Sequence, residues 1–507
     1  MEQCPARTVG GSFGRGRTPP YLAGTTYLFF SRTSNLITSH VCLVTACAST
    51  EWHSSDHIFD GYATLVRISF RRGRATGAHR QVESDAYKAA MAHGRPLHRE
   101  FSQLCRPSKQ QPGGSLLDRV RNVVGLGSGA LLSDNANISV LPLGDGRVMC
   151  LTETTKSSLL IDPETLDTIG KFRYADRLWG LLQTTHPVVT GTELLTLLPD
   201  MIFRPAWPSC RQDGSREQRE ESDRESALPG RGRARTTGMG AFVRRHGQVH
   251  RRAGDATALL PYSRSQVSAH TLVYLRLATG VWELHARHMR VHRKDRVASV
   301  EVPPFMALHF INAYEQRDAI IADCCEYYAD PSVIKALALH RLRTPGMNKD
   351  AAFPDARVTR FRIPLDGTPM AMGELETVLD PEVHGRGVEM PSIHPAYQGK
   401  DYRYVYACGA RRPCNFFNCL TKIDLVEKEA KNWHELGSVP SEPFFVARPG
   451  GTDEDDGVVI SIVSTMEGDG YALLVDAVTF EEIARQGSSS VQSEPSMQVS
   501  DGSMCAV

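Results

Sequence analysis

Two histidines and three glutamates, each beside or at the end of a predicted strand, are the residues best suited to metal chemistry. His186 and His309 carry imidazole groups, which bind iron, zinc and copper. A histidine that binds a metal usually donates its second ring N–H to a carboxylate or carbonyl, so Glu153, Glu389 and Glu442 are candidate partners. Residues so far apart in the chain form no spacing motif, and on chemistry alone a packed or surface histidine is the default interpretation.

Two further groups of histidines could bind metal. His246 and His250 lie in an Arg-rich run, where the neighbouring positive charge disfavours a bound cation. The stretch with His285, His288 and His292 is better explained as strand, polar turn and strand. Alternation would then place the last two on one face and the first on the other.

Three other features have a structural interpretation. The acidic residues 453–456 lack the alternating ligands of a calcium loop and immediately precede an apolar strand, so they predict a charged turn. Asn312 and Tyr314 are interpreted as structural residues. The pair Phe416-Phe417 either lines a tunnel or packs in the core.

The elements that must position these residues are mostly strands. Short β-branched runs bounded by Gly, Asp, Asn and Pro predict strands at 62–70, 137–143, 147–152, 271–277, 358–363, 402–408, 458–463 and 471–478. Two helices are predicted. One spans 84–93 with Ser84 or Asp85 as its N-cap, and the other spans 330–340 with Pro331 at its first position.

An internal repeat organises the strands. Residues 159–169 read LLIDPETLDTI, residues 473–483 read LLVDAVTFEEI, and residues 423–427 (IDLVE) are a weaker copy. Each copy is an apolar strand followed by an aspartate that can close a turn. The aspartates at 424 and 476 are 52 residues apart, and those at 162 and 424 are separated by about five such intervals. This period is near that of propeller blades and predicts one β-propeller, with unrelated hairpins as the alternative.

Composition excludes several classes of protein. The chain has 507 residues, 23% charged and 41% hydrophobic, which is typical of a globular protein. A net charge of +1 gives no global field toward nucleic acid, and no apolar run is long enough to span a membrane. The 12 cysteines include no CxxC pair, which argues against a disulfide scaffold or zinc ribbon and predicts reduced thiols in an intracellular protein.

Three segments differ from the rest of the chain. Residues 1–18 are predicted to be a disordered leader and residues 486–507 a disordered tail, which leaves 19–485 as a single domain. Within it, residues 208–255 are rich in Arg, Glu, Ser and Gly, too polar to bury a core, and are predicted to be disordered. Acidic residues are mixed into this segment and few aromatic residues could stack on bases, so no nucleic acid partner is predicted.

Five motifs in order give the chain a family resemblance. They are HIFDGYA (57–63), CLTETTKSSLLIDPETLDTI (150–169), HFINAYE (309–315), VEMPSI (388–393), and PSEPFFVARP (440–449) followed by EDDGVV (454–459). Together they resemble the carotenoid cleavage oxygenase family, and within it most closely the animal-type branch of carotene oxygenases and retinoid isomerases. The likeness covers residues 19–27, 57–207 and 281–485.

The resemblance implies an all-β, seven-bladed propeller with a helical cap, some of its blades incomplete. It also implies an Fe(II) ion held by four histidines, three of them backed by glutamates. His186 matches the first ligand and His309 the third, while Glu153, Glu389 and Glu442 match the supporting carboxylates. The implied reaction is cleavage of a conjugated double bond in a carotenoid or apocarotenoid by dioxygen. Its products are aldehydes or ketones, and no organic cofactor or further catalytic residue is implied.

The chain departs from the family at the other two ligands. The His-Ser-Phe-like motif of the second is absent where the Arg-rich segment lies, and no histidine follows His434 to supply the fourth. A damaged or mis-spliced reading frame would explain both gaps. Two alternatives follow: an inactive member or faulty product that at most binds an apolar polyene, and a retinoid isomerase or stilbene-cleaving enzyme with the same centre. The family also suggests peripheral membrane contact and a cytoplasmic or plastid location.

Overall fold

The computed structural model describes thirty β-strands and only a few short helices, as expected of an all-β protein. The helices are α1 (Asp85–His93), α2 (Ser332–Ala336) and α3 (Leu339–Leu342), with 3₁₀ turns at Ile58–Asp60 and Pro395–Tyr397. The structure describes residues 57–71, 74–98, 100, 132–143, 146–152, 158–172, 305–328, 332–342, 355–365, 386–411, 414, 416–465 and 470–487. Outside these ranges it describes only the backbone of the strands named below.

The first half of the chain forms antiparallel sheets and hairpins. One sheet contains β1 (Arg7–Val9), β3 (Leu36–Thr38), β4 (Thr64–Arg71) and β5 (Arg74–Gln81), in the order β1-β5-β4-β3. The next runs in chain order through β6 (Ser139–Pro142), β7 (Val148–Leu151), β8 (Leu159–Ile161) and β9 (Thr168–Lys171). Two hairpins follow, made of β10 (Val188–Thr190) with β11 (Glu193–Leu195) and β12 (Leu197–Pro199) with β13 (Pro208–Cys210).

The second half repeats a four-stranded plan in chain order. The three sheets comprise β14 (Ser265–Val267), β15 (Thr271–Ala278), β16 (Val281–His288) and β17 (Arg296–Val302); β18 (Phe305–Gln316), β19 (Ala319–Tyr328), β20 (Arg357–Pro364) and β21 (Glu376–Thr377); and β22 (Arg386–Ser392), β23 (Tyr404–Ala410), β24 (Cys419–Asp424) and β25 (Glu429–His434).

The last sheet joins the two ends of the fold. It contains β2 (Phe13–Arg15), β30 (Glu482–Gly487), β29 (Gly470–Asp476), β28 (Gly457–Thr465) and β26 (Ser438–Pro440), in that order, and β27 (Phe444–Ala447) also pairs with β28. Successive sheets meet at their first strands, since β14 contacts β18 and β18 contacts β22. Four-stranded sheets packed in this way form a propeller-like arrangement.

The aspartate repeat forms the same turn three times. Asp162 directly follows β8, whereas Asp424 and Asp476 are the last residues of β24 and β29. The Oδ1 atom of each accepts the backbone N–H groups two and three residues later, at 2.8–3.1 Å. The fourth residue after each has positive φ: Leu166 (63°), Lys428 (59°) and Phe480 (64°). The Asx turns predicted from the repeat are therefore present, and they close the outer hairpins of three sheets.

The helix predicted at 84–93 is confirmed, whereas the one predicted at 330–340 is divided in two. Ser84 caps α1 by accepting the N–H of Tyr87. The second helix breaks between α2 and α3 because its backbone binds the 57–60 turn: His57 Nε2 donates to the carbonyl of Ile334 (2.7 Å), and the carbonyl of Leu337 accepts from Ile58. The predicted first position, Pro331, lies outside the described residues.

The largest apolar core among the described residues joins the β18–β21 and β22–β25 sheets to the helical segment and the last sheet. Val333, Tyr406 and Leu473 belong to it, and Phe417 packs there with Phe416 against its edge. The cysteines in the described residues are free thiols, buried except for half-buried Cys414: Cys150, Cys324, Cys325, Cys408, Cys414 and Cys419.

Candidate metal centre

His309 and Glu389 are hydrogen bonded to each other. His309 lies on β18 and Glu389 on β22, the first strands of two neighbouring sheets, and 2.5 Å separates His309 Nδ1 from Glu389 Oε2. An ionised carboxylate can only accept, so the proton of this bond belongs to Nδ1. A neutral His309 would then have its lone pair on Nε2, the form in which imidazole binds metals.

His309 lies in a β-bulge of β18. Leu308 and His309 lie opposite the single residue Cys325, because Ala307 pairs with Glu326 and Phe310 pairs with Cys324. Such a bulge changes the direction of a side chain and is common beside functional sites. Sequence alternation gives no sign of it, so the orientation of His309 could not have been predicted.

A second bulge follows Glu389. Met390 and Pro391 lie opposite the single residue Ala407, and Met390 has a φ of 53°, which is uncommon for a residue other than glycine. In this conformation the N–H of Met390 donates to Glu389 Oε2 at 2.9 Å. The carboxylate is 1% exposed, and its Oε1 atom has no hydrogen-bond partner among the described residues. The backbone N–H of Met390 and the ring of His309 therefore both bind the same oxygen, Oε2, of the buried Glu389 side chain.

Glu442 lies near this pair in the segment between β26 and β27. Its side chain has exposed surface, yet desolvation by burial raises its pKa to about 7. The positive charge of His309 would lower this pKa, and the negative charge of Glu389 raises it further. Neighbouring groups therefore remove part of the hydration that the charged form of this carboxyl would have in bulk water.

Ser441 fixes the backbone beside Glu442. Its N–H donates to the carbonyl of Ile462 (2.8 Å), and its Oγ accepts the N–H of Ile462 (2.8 Å). Ser461 Oγ donates to the carbonyl of Ser441 (2.8 Å). These bonds to β28 hold the Pro-Ser-Glu-Pro turn in place, a role that sequence inspection had not assigned to either serine.

The other candidate residues are not all placed. His186 and Glu153 lie outside the described residues, as do the alternative histidines His246, His250 and His292. Within the part of the chain that the structure describes, no three His, Cys, Asp or Glu side chains are grouped as metal donors. From the predicted set, the structure places Glu389 in a hydrogen bond with His309, and Glu442 is near enough for the charges of both to affect its pKa.

The described residues also bear on the interpretations of the 285–292 histidines and of the acidic turn. His285 and His288 lie on β16, which pairs antiparallel with β17, as the two predicted strands require; the residues that connect these strands lie outside the described residues. In the acidic turn, Glu454 accepts the backbone N–H groups of Arg403 and Tyr404, while Asp455 accepts from Lys422. The turn therefore joins two neighbouring sheets.

The His309–Glu389 pair has the arrangement expected of one histidine ligand and its supporting carboxylate. A histidine with one ring nitrogen bonded to a buried carboxylate is the usual arrangement around protein-bound iron or zinc. Glu389 also supplies negative charge that would offset the charge of a cation bound at His309 Nε2. A desolvated second carboxyl, Glu442, adds to this electrostatic environment.

Comparison with known proteins identifies the family. A family model described as retinal pigment epithelial membrane protein matches residues 8–205 and 279–489. The chain belongs to this family of carotenoid cleavage oxygenases. The match leaves out residues 206–278, which include the Arg-rich segment singled out by composition.

Plant proteins are among its most similar relatives. Carotenoid cleavage dioxygenase 8 homolog A, chloroplastic, of Oryza sativa subsp. japonica is 56% identical over 446 residues, covering 85% of this chain and 77% of that protein. Carotenoid cleavage dioxygenase 8, chloroplastic, of Arabidopsis thaliana is 46% identical over 450 residues, covering 85% and 75%. The carotenoid isomerooxygenase of Galleria mellonella is 28% identical. The predicted placement in the animal-type branch was therefore wrong.

Solved structures support the fold. The chain is similar to cobalt-substituted Synechocystis ACO, an apocarotenoid oxygenase, with a TM-score of 0.61 and 18% identity over 96% of this chain and 94% of that one. No helix in the described ranges has the length and apolar character needed to cross a bilayer.

Proposed function

We propose that the chain is an iron-dependent dioxygenase that cleaves a conjugated double bond of a carotenoid or apocarotenoid. The observation that carries the proposal is the His309–Glu389 hydrogen bond between the first strands of two neighbouring sheets. Membership of the carotenoid cleavage oxygenases supports it. The eight sheets and hairpins give seven blades if the two hairpins β10–β11 and β12–β13 form one blade.

Each predicted residue has a distinct role in this proposal. His309 would bind Fe(II) through Nε2, with His186 as another ligand. Glu389 would fix the orientation and tautomer of His309 and offset the charge of the ion. Glu153 and Glu442 would act in the same way toward other ligands.

The chemistry needs no external reductant. The carbon–carbon double bond and the O–O bond break, and each of the two carbons forms a double bond to one oxygen atom of dioxygen. The products are therefore two carbonyl compounds, aldehydes or ketones. Fe(II), when bound, would activate dioxygen for this reaction. The protein residues bind and orient the ligands and keep bulk water from the site.

A labelling experiment tests the reaction. The purified chain with Fe(II) is incubated with an apocarotenoid under ¹⁸O₂, and the carbonyl products are analysed by mass spectrometry. We expect a shortened aldehyde or ketone that carries the label. Substrate recovered intact from an iron-loaded sample would contradict the proposed activity.

An inactive family member is the second candidate. The family match omits residues 206–278, where the motif expected for the second histidine ligand is missing. A chain with fewer ligands would hold iron weakly and could bind a polyene without cleaving it. Iron content separates the two candidates.

The location that we propose is the plastid, because the relatives from rice and Arabidopsis are named chloroplastic. Neither those names nor the described residues support the peripheral membrane contact expected from the family. Import of the fluorescently tagged chain into isolated chloroplasts tests the location.

A further inference from the structure

Asn312 is fully buried on β18 and uses all four hydrogen-bonding positions of its side chain. Its amide nitrogen donates to the carbonyls of Tyr397 (3.2 Å) and Lys400 (3.0 Å). Its amide oxygen accepts the N–H groups of Ala313 (3.0 Å) and Gly399 (2.9 Å). Three of these four bonds bind the β22–β23 loop, defined here as residues 393–403.

The same loop is attached to the β18–β21 sheet at a second point. The hydroxyl of Tyr402 donates to Asp323 Oδ2 at 2.7 Å, and Asp323 is completely buried. Arg360 binds both oxygens of Asp323 at 2.8 Å, so this acceptor is itself held in place. Asn312 and Tyr402 together fasten the β22–β23 loop to the neighbouring sheet.

The loop connects the three parts of the candidate metal centre. It directly follows β22, the strand of Glu389, and it is bound by Asn312, three residues after His309 on β18. Its His394 packs on the ring of Phe445 with 4.9 Å between ring centroids, and Phe445 lies three residues after Glu442.

The positions of β18 and β22 relative to each other depend on such side-chain contacts. The two strands belong to different sheets, so no ladder of backbone hydrogen bonds fixes one against the other. A small sliding of β22 would break a bond as short as that between His309 and Glu389.

We propose that Asn312 is a positioning residue for the metal centre. By fastening the β22–β23 loop to β18, it keeps the Glu389 carboxylate at hydrogen-bonding distance from His309 Nδ1. Its consequence for metal binding rests on the proposed function, whereas the hydrogen bond exists in the metal-free chain.

Proton NMR of the metal-free, ¹⁵N-histidine-labelled chain tests this role. The Nδ1 proton of His309 should give a far-downfield resonance, assigned by its disappearance in His309→Phe. We expect Asn312→Ala to lose or strongly broaden this resonance at temperatures where the variant is folded. If Asn312→Ala does not fold, Tyr402→Phe is measured instead. This variant removes only the hydrogen bond from Tyr402 to Asp323, and it is expected to shift or broaden the same resonance.

A matched control separates positioning from stability. Lys422→Met breaks a buried ion pair elsewhere in the β22–β25 sheet and should lower the unfolding temperature while leaving the resonance unchanged. If the resonance is unchanged in Asn312→Ala, the inference is overturned and Asn312 is a stabilising residue only. The same conclusion follows from an unchanged resonance in Tyr402→Phe when Asn312→Ala does not fold.

Metal affinity provides a second measurement. Fe(II) should bind Asn312→Ala at least about tenfold more weakly than the unsubstituted chain, as for other outer groups of metal sites. If the unsubstituted chain bound no Fe(II), the proposed function would fail, and the resonance would still decide the role of Asn312.

Discussion

The residue that best defines the candidate centre is Glu389, because its buried carboxylate accepts from both His309 and the backbone of Met390. The sequence predicted that these two side chains belong to one site. It could not predict the bulges beside them or the left-handed conformation of Met390, because these depend on pairing between strands that are distant in the chain.

Glu389→Gln is expected to weaken Fe(II) binding by about 10- to 100-fold while the chain remains folded. The amide can still accept a hydrogen bond, but it supplies no charge to offset the cation. Titration with Fe(II) under anaerobic conditions measures the effect. The control is Glu427→Gln, an exposed site, and equal affinities in the two variants would remove Glu389 from the centre.

At the scale of elements, the aspartate turns make the outer hairpins predictable. Their geometry is local, so the three-fold repeat predicted the turns at Asp162, Asp424 and Asp476 correctly. The helix at 330–340 was predicted as one piece because its sequence pattern is local too, whereas the contacts with His57 that divide it are not.

Asp476→Ala should lower the free energy of unfolding by about 1 kcal/mol, because two backbone N–H groups lose their acceptor. Asp476→Asn keeps an oxygen at the same position and should retain most of the stability. Urea unfolding of both variants measures the difference. Equal losses would show that the turn does not depend on the Oδ1 acceptor.

Acid should destabilise the turn at Asp424. Burial alone would raise the pKa of this carboxyl, but the Arg403 side chain and the backbone N–H groups of Glu427 and Val426 lower the pKa below its usual value. Since the folded pKa is lower than the unfolded one, the stabilisation is present above about pH 4 and is lost as the pH falls further. Urea unfolding at decreasing pH should show a steeper acid loss for the unsubstituted chain than for Asp424→Asn; parallel curves would contradict this.

At the scale of the whole molecule, buried polar contacts join sheets that share no backbone ladder. Lys422 Nζ lies 2.6 Å from Asp455 Oδ2, and this pair connects β24 to the turn before β28. The sequence predicted that 453–456 forms a charged turn, but its partners Arg403, Tyr404 and Lys422 come from another sheet and only the fold reveals them.

Lys422→Met is expected to destabilise the chain by about 3 kcal/mol, because it leaves Asp455 largely buried without its counter-charge. Adding Asp455→Leu should recover part of this loss, since it removes the uncompensated charge. Denaturant unfolding of the single and double variants tests the coupling. Strictly additive losses would show that the pair does not join the sheets.

The iron content of the purified chain tests the central claim most directly. Elemental analysis after anaerobic loading with Fe(II) and removal of free metal should give about one iron per chain, and His309→Ala should retain almost none. An iron-free unsubstituted chain, or a His309→Ala variant that retains its iron, would contradict the account.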